Sequence, residues 1–302
     1  MKSSLIRSPG NASKSPADVM KVTNDVVKSC LEKKYELGSQ GDIIEFAVTE
    51  EKGIFERGVY KVRAYGQGEI VVKVFRKAKN EALDYYENIK NTHLAWQQDS
   101  SLGQYILKVQ LKSKKPDYDE TYGLLFLELE KAKETLALKL KRKGQYTEEE
   151  RIKDYKELVN AVTYLHRRGE EMARNFHGDL KPDNIFFVEH RNADGSITEC
   201  LKIGDIEDCL GTLPYRDSHS ISFQAWEKGT LPPTGKEDDL MAIKMIFLEL
   251  AYDFCLFDFC DELLGQGQEG IRQFDQFIKK DAAGRKEFLE NNGRRQKYFE
   301  NL

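Results

Sequence analysis

Apolar positions along the chain hold one spacing, change to another and change back, and each change marks an element. Val19, Val22, Val26 and Cys30 recur at three- and four-residue steps, with Val27 and Leu31 beside them; this predicts a helix from Ala17 that ends by Gly38. Residues 42–75 switch to the period of a strand. The stretches DIIEFAVTE, IFERGVYKVRAY and EIVVKVF are rich in β-branched and aromatic residues and are broken at Glu51-Lys52-Gly53 and Gly66-Gln67-Gly68, which predicts a three-stranded antiparallel meander. Lys77 to Gln98 returns to the helical period, with Ala82, Tyr85, Tyr86, Ile89 and Leu94 on one side. Two more strands follow, QYILKVQLK and YGLLFLELE.

Beyond Glu130 the spacing is mainly helical: Glu134–Lys143, Glu148–Arg168, Glu237–Tyr252 and weaker runs to Leu302. One hairpin interrupts it, NIFFVEH and TECLKIGD, joined through Asn192-Ala193-Asp194-Gly195, where Asp-Gly is a strong turn signal. The first sixteen residues, rich in Ser, Pro, Gly and Lys, read as a flexible arm. The pattern therefore predicts an α+β chain: residues 1–40 an arm plus a helix, 41–130 a small β-rich lobe, and 131–302 a larger helical lobe with a C-terminal helical extension.

Composition narrows the class of protein. Of 302 residues, 40% are apolar and 32% charged, which excludes a disordered or collagen-like chain. A net charge of −4 argues against a protein built to coat nucleic acid, so no nucleic-acid partner is expected. Five cysteines, an odd number without a CxxC pair, read as reduced thiols of a cytosolic setting. No stretch approaches the roughly 20 apolar residues that span a bilayer, and Met1 to Ala17 has no apolar secretory core.

The chemistry concentrates in His177-Gly178-Asp179-Leu180-Lys181-Pro182-Asp183-Asn184, which follows a long amphipathic helix and precedes an apolar strand. An oxygen base and hard oxygen donors on one turn suit phosphoryl transfer. The stretch resembles the catalytic loop of the protein kinase superfamily, and the resemblance implies a bilobal protein kinase-like fold. It makes Asp179 the residue that accepts the proton of the acceptor hydroxyl, Asn184 a magnesium ligand, and Lys181 a cation for the γ-phosphate of the serine/threonine type. Leu201-Lys202-Ile203-Gly204-Asp205-Ile206 resembles the Asp-Phe-Gly element, which makes Asp205 the second metal ligand; Ile206 replaces Phe, Glu207 stands where Gly is usual, and Asp208 is read as a solvated acid rather than a ligand.

In the β-rich lobe, Ile70-Val71-Val72-Lys73-Val74 fits the strand whose Lys contacts the α- and β-phosphates, and Glu81 is its ion-pair partner by resemblance, with Glu87 the alternative. The glycine-rich loop is divergent. Gly53 to Lys61 keeps Gly58-Val59-Tyr60-Lys61, with Val59 placed against the nucleotide, but lacks the full glycine set; Lys52 and Arg57 are candidates to assist, with surface charge the favoured reading of both. Glu128-Leu129-Glu130 falls where the family places the connector whose backbone meets adenine.

Ala225-Trp226-Glu227 stands where the family has Ala-Pro-Glu, and twelve positions on, Asp239-Leu240-Met241-Ala242-Ile243 resembles the helix whose Asp braces the catalytic loop. Thr212, Tyr215, Ser218, Ser220 and Ser222 are candidate phosphorylation sites, but Gly178 occupies the Arg position that grips an activation-loop phosphate, so activity independent of that modification is expected. A small polyanion or protein activator is an alternative trigger. Lys139, Lys141, Arg142 and Lys143, with Arg167 and Arg168, are its candidate basic patch, against the favoured reading of a solvated helix face. The resemblance implies transfer of the γ-phosphate of ATP, with Mg²⁺ or Mn²⁺, to Ser/Thr hydroxyls of protein substrates. The divergent loop, Gly178 and compact helical lobe look like kinases that bacteria deliver into host cells, so the expected location is cytoplasmic or, by a non-classical route, the cytoplasm of a host. Alternatives are a small-molecule phosphotransferase of the same fold, a non-catalytic kinase-like module, and transfer of AMP.

Overall fold

The structure, a computed structural model, describes residues 23–38, 43–46, 57–63, 69–99, 101–110, 115–142, 144–168, 176–178, 180–205, 236–253, 266–279, 282–294 and 296–298. The chain divides into two compact units, Met1–Lys79 with Asp117–Phe126, and Asn80–Pro116 with Leu127–Leu302.

In the first unit, Thr23 caps helix α1 (Asn24–Lys34) by accepting the Val26 N–H, and acid at the start with base at the end (Asp25; Lys33, Lys34) suits the helix dipole. Strands β1 (Ile43–Phe46), β2 (Arg57–Arg63) and β3 (Glu69–Arg76) are the expected meander, with Ile44 opposite Val62 and Tyr60 opposite Val72. β3 neighbours β6 (Leu124–Leu129), whose first half pairs with β5 (Asp117–Asp119) across a turn closed by Gly123 at φ 68°. Strand alternation puts Tyr60, Val62, Val72, Val74, Leu124 and Phe126 on one face, where they pack with Val27 and Leu31 of α1.

The second unit holds nearly all of helix α2 (Lys79–Gln98), the short strand β4 (Val109–Gln110) against the last residues of β6, and a sheet in the order β7-β8-β9 (Glu134–Thr135, Ile185–Arg191, Ile197–Ile203). Helices α3 (Leu136–Lys141), α4 (Glu148–Arg168), α5 (Lys236–Tyr252), α6 (Gln268–Lys279) and α7 (Ala282–Asn291) complete it. Its core runs through Trp96, Leu102, Leu165, Leu180, Ile246 and Phe277. No helix among the described residues is long and apolar enough to cross a membrane.

Three expectations are corrected. The strand read into Gln104 to Lys112 begins as a 3₁₀ turn, Gly103–Tyr105, because the Asp99 carboxylate accepts the Ser101 and Leu102 N–H groups and Gly103 N–H bonds the Asp99 carbonyl. The helix read from Glu134 starts two residues later, since Glu134 and Thr135 pair with Phe187 and Phe186 and Thr135 caps α3. β5 is an additional strand, which a run of Asp, Tyr, Glu and Thr does not announce.

The basic patch is likewise rebuilt. Lys139 is 4% exposed rather than solvated: its Nζ donates to Asp154 (2.8 Å) and Glu199 (2.9 Å), lies 3.9 Å from the Phe187 ring centre, and Asp154 also accepts from the Tyr146 hydroxyl. Burial opposes the Lys139 charge, but hydrogen bonds and charge from Asp154 and Glu199 outweigh it and hold its pKa above the usual lysine value. Arg142, itself exposed, pairs with Glu134 at 2.5 Å; Lys141 and Arg167 are exposed too, and Lys143 lies outside the described residues.

A second buried cation ties the end of the chain to α4. Arg151 donates to the carbonyls of Tyr146 and Leu250 and to Asp253 (2.5 Å), between the rings of Tyr146 and Tyr298 at 4.4 Å each, while Lys297 holds the other Asp253 oxygen at 3.0 Å. Burial pushes the Asp253 carboxyl up, yet the Lys297 hydrogen bond and the Arg151 charge prevail and lower it. A carboxyl depressed in the folded state stabilises above its unfolded pKa and ceases to do so as pH falls through the folded value. Asp253→Asn, which tolerates the positive φ of 54°, is therefore expected to cost about 3 kcal/mol at neutral pH, since it strips a buried guanidinium of its counter-charge. Melting followed from pH 7 to 3 should show the variant losing less than wild type on the acid limb.

Candidate active site

Backbone geometry builds the loop before any catalytic side chain enters. His177 is fully buried, and its N–H donates to Asp239 Oδ2 at 2.7 Å while the next N–H, of Gly178, donates to Oδ1 at 2.7 Å. His166, near the end of α4, adds its ring Nε2 to Oδ2 at 2.9 Å. One carboxylate in the first turns of α5, itself 0% exposed, thus holds both residues that precede Asp179 in sequence. Gly178 sits at φ 82°, where a side chain is strained, which gives the family's Arg position a local reason to be glycine here.

The loop's other side is set by the β8–β9 hairpin. His177 Nε2 lies 2.9 Å from the Gly204 carbonyl, which can only accept, so the proton sits on Nε2. Gly204 N–H donates to the Asn184 carbonyl at 2.9 Å, continuing the pairing of Ile185 with Ile203. The register brings Asn184 (buried) and Asp205 to one end of one hairpin. Gly204 has no room for a side chain: a Cβ there would meet the Phe186 ring at 2.4 Å and Leu107 at 3.1 Å. Asp205 holds φ 62°, a left-handed conformation that costs an L residue about 1 kcal/mol. Leu180 is anchored in the core, and Lys181 precedes the 3₁₀ turn Pro182–Asn184, with Asn184 N–H on the Lys181 carbonyl. Asp179 itself lies outside the described residues, as do Gly53 and Lys52, Ile206 to Asp208, the five candidate phosphorylation sites and Ala225-Trp226-Glu227.

In the first unit, Val59 and Lys73 are direct partners across β2 and β3 and so share one face, opposite the face that packs on α1. Lys73 is 6% exposed, with its Nζ 5.2 Å from the Phe75 ring centre. Glu81 is exposed in the first turn of α2, in the second unit, and Glu87 is exposed beside Lys90, its partner at 3.3 Å.

At the connector, Glu128 pairs with Gln110 and Leu129 with Val109. Glu130 carries a load that its sequence position does not announce. Its carboxylate takes both oxygens to Lys202 Nζ (2.9 and 2.8 Å), a lysine 2% exposed, and accepts the Lys108 N–H, while its own N–H donates to the Lys108 carbonyl. That backbone N–H is thus already committed, which narrows a nucleotide contact at Glu130 to its carbonyl. His166, Gly204 and Lys202 are the residues that sequence reading misses; only Gly204, placed between an apolar strand and an acid, carries a visible signal.

The donors collected at the hairpin end are an amide oxygen and a carboxylate, the hard oxygen ligands that Mg²⁺ or Mn²⁺ takes. The chemistry of these two donors fits such an ion. A protein kinase domain family model matches residues 56–209, half of the chain, from the start of β2 to just beyond Asp205. The interferon-induced, double-stranded RNA-activated protein kinase of Mus musculus is 32% identical over 105 residues, covering 32% of this chain and 18% of that protein. The matched region is thus under a fifth of that relative's length.

Proposed function

The chain belongs to the protein kinase domain family, and from that premise we propose that it transfers the γ-phosphate of ATP to Ser/Thr hydroxyls of protein substrates. The observation that carries the reading is the clamp of Asp239 on the His177 and Gly178 amides, joined through Gly204 to Asn184 and Asp205. A loop held this way presents its acids without reorganising at the moment of reaction.

Each residue then has a role. Asp179, between the clamped Gly178 and the anchored Leu180, takes the proton of the acceptor hydroxyl as its oxygen bonds to the γ-phosphorus and the bond to the ADP oxygen breaks. Lys181 neutralises charge gathering on the γ-phosphate. Lys73, paired in the ladder with Val59, meets the α- and β-phosphates. Val59 lies against the base and ribose, with the backbone of Glu128 and Glu130 at the adenine edge. Asn184 and Asp205 would hold Mg²⁺ or Mn²⁺, which when bound supplies positive charge to the phosphates. Lys181 supports Ser/Thr acceptors over Tyr. The protein works in a cytoplasm.

Incubation with γ-labelled and α-labelled ATP in parallel tests the assignment. Label on protein from the γ position only is expected, on serine and threonine after hydrolysis. Label from the α position would instead indicate AMP transfer, γ-label on small molecules alone a small-molecule phosphotransferase, and saturable ATP binding with no transfer a silent module.

A further inference from the structure

Helix α1 lies outside the matched family region, yet it is built into the sheet that carries Lys73. We propose that α1 is a positioning element of the nucleotide half of the active site and acts through Tyr60; this rests on the kinase reading above.

Tyr60 joins the helix to the strand. It is fully buried, and burial pushes its phenol up to about 12, so the hydroxyl stays a donor at any working pH. That hydroxyl donates to Asn24 Oδ1, in the first turn of α1, at 3.3 Å. The same ring lies over Gly58. A Cβ on Gly58 would stand 2.7 Å from Tyr60 Cε2 and 3.2 Å from its oxygen, and a ring with no exposed surface has nowhere to move.

Gly58 and Tyr60 flank Val59, whose side chain points to the other face beside Lys73. The ring therefore fixes the pleat of β2 on both sides of the residue that meets the nucleotide. The far end of α1 is tied as well: Lys34 forms an ion pair with Asp117 of β5 and lies 5.8 Å from the Phe126 ring centre. Val27 and Leu31 fill the space between. Asn24 on β2 and Lys34 on β5 thus hold α1 across the sheet. Displacement of the helix reaches Val59 through one rigid side chain.

The test uses the full chain and reads the KM for ATP against kcat, with γ-labelled ATP and a degenerate Ser/Thr peptide library as acceptor. Asn24→Leu and Tyr60→Phe are each expected to raise KM for ATP about fivefold, the equivalent of one lost hydrogen bond, with kcat within about twofold. Gly58→Ala should raise it more, and should cost less when added to Tyr60→Val than when added to wild type, because the ring it collides with is gone. Asp253→Asn, which weakens the other unit, should lower the melting temperature and leave KM for ATP unchanged. Unchanged KM in Asn24→Leu and Tyr60→Phe, or an equal cost of Gly58→Ala in both backgrounds, overturns the proposal. Hydrogen exchange at the amides of residues 58–62 needs no activity and separates the two claims. Faster exchange in Asn24→Leu upholds the link from α1 to β2 even if wild type transfers nothing, and unchanged exchange refutes the link even if wild type is an active kinase.

Discussion

Asp239→Ala is expected to lower kcat at least about a hundredfold, the scale of an ångström of misplacement at a reacting centre, while melting falls by several degrees. The carboxylate accepts from two backbone N–H groups and an imidazole, and all three lie in or beside the loop that carries Asp179. Alanine leaves two buried amide donors without their acceptor, at about 1–3 kcal/mol each. That is a large share of a stability that is commonly about 5–15 kcal/mol. Asp239→Asn separates positioning from folding, because it keeps the volume and one acceptor oxygen but turns an NH₂ toward one of the donors. Its melting should recover most of the way, and its kcat should not. Parallel recovery of both would show Asp239 to be merely structural.

Asp205→Asn is the second large effect. Asparagine tolerates the left-handed backbone at φ 62° and keeps the side-chain shape, so melting should change little. It removes the one carboxylate of the proposed ligand pair, however. Losses around a metal's ligands already cost about 10–100-fold in affinity, so a ligand itself should exceed that. Titration of the ATP complex with Mn²⁺, read by the paramagnetism of the ion, should show binding weakened more than about a hundredfold, with transfer falling in step. Unchanged metal affinity would remove Asp205 from the site.

The elements that periodicity announces are those whose buried face is long. α4 runs over Glu148–Arg168 as its spacing predicts, and the Asp-Gly turn delivers the β8–β9 hairpin with Gly195 at φ 84°. The α+β kinase fold was legible for that reason, and so was the placing of Asn184 and Asp205 on one hairpin. The supports behind them were not. Lys139 reads as part of a solvated face in a pattern that scores charge as exposure, and nothing in the periodicity marks Arg151 or Lys202, yet each of the three is buried against carboxylates elsewhere in the chain: Asp154 and Glu199, Asp253, and Glu130. Tertiary pairing of this kind leaves no periodic trace. His166 follows the buried Leu165 on a helix end, where a histidine serves equally well on the surface. The 3₁₀ turn at Gly103–Tyr105 escaped because its cause is one side chain, Asp99, acting on the backbone.

On the proposed function, the clamped loop positions Asp179 to take the proton of a protein hydroxyl as the γ-phosphate of ATP passes to it. The most direct measurement is γ-label incorporation by wild type and by Asp179→Ala, at ATP concentrations adjusted so that equal fractions of each are occupied. Wild type should label protein on serine and threonine, and Asp179→Ala should bind ATP with similar affinity while its transfer falls by about a thousandfold, the scale of a lost general base. Equal labelling by the two proteins, or none by wild type at full occupancy, would overturn the role of Asp179.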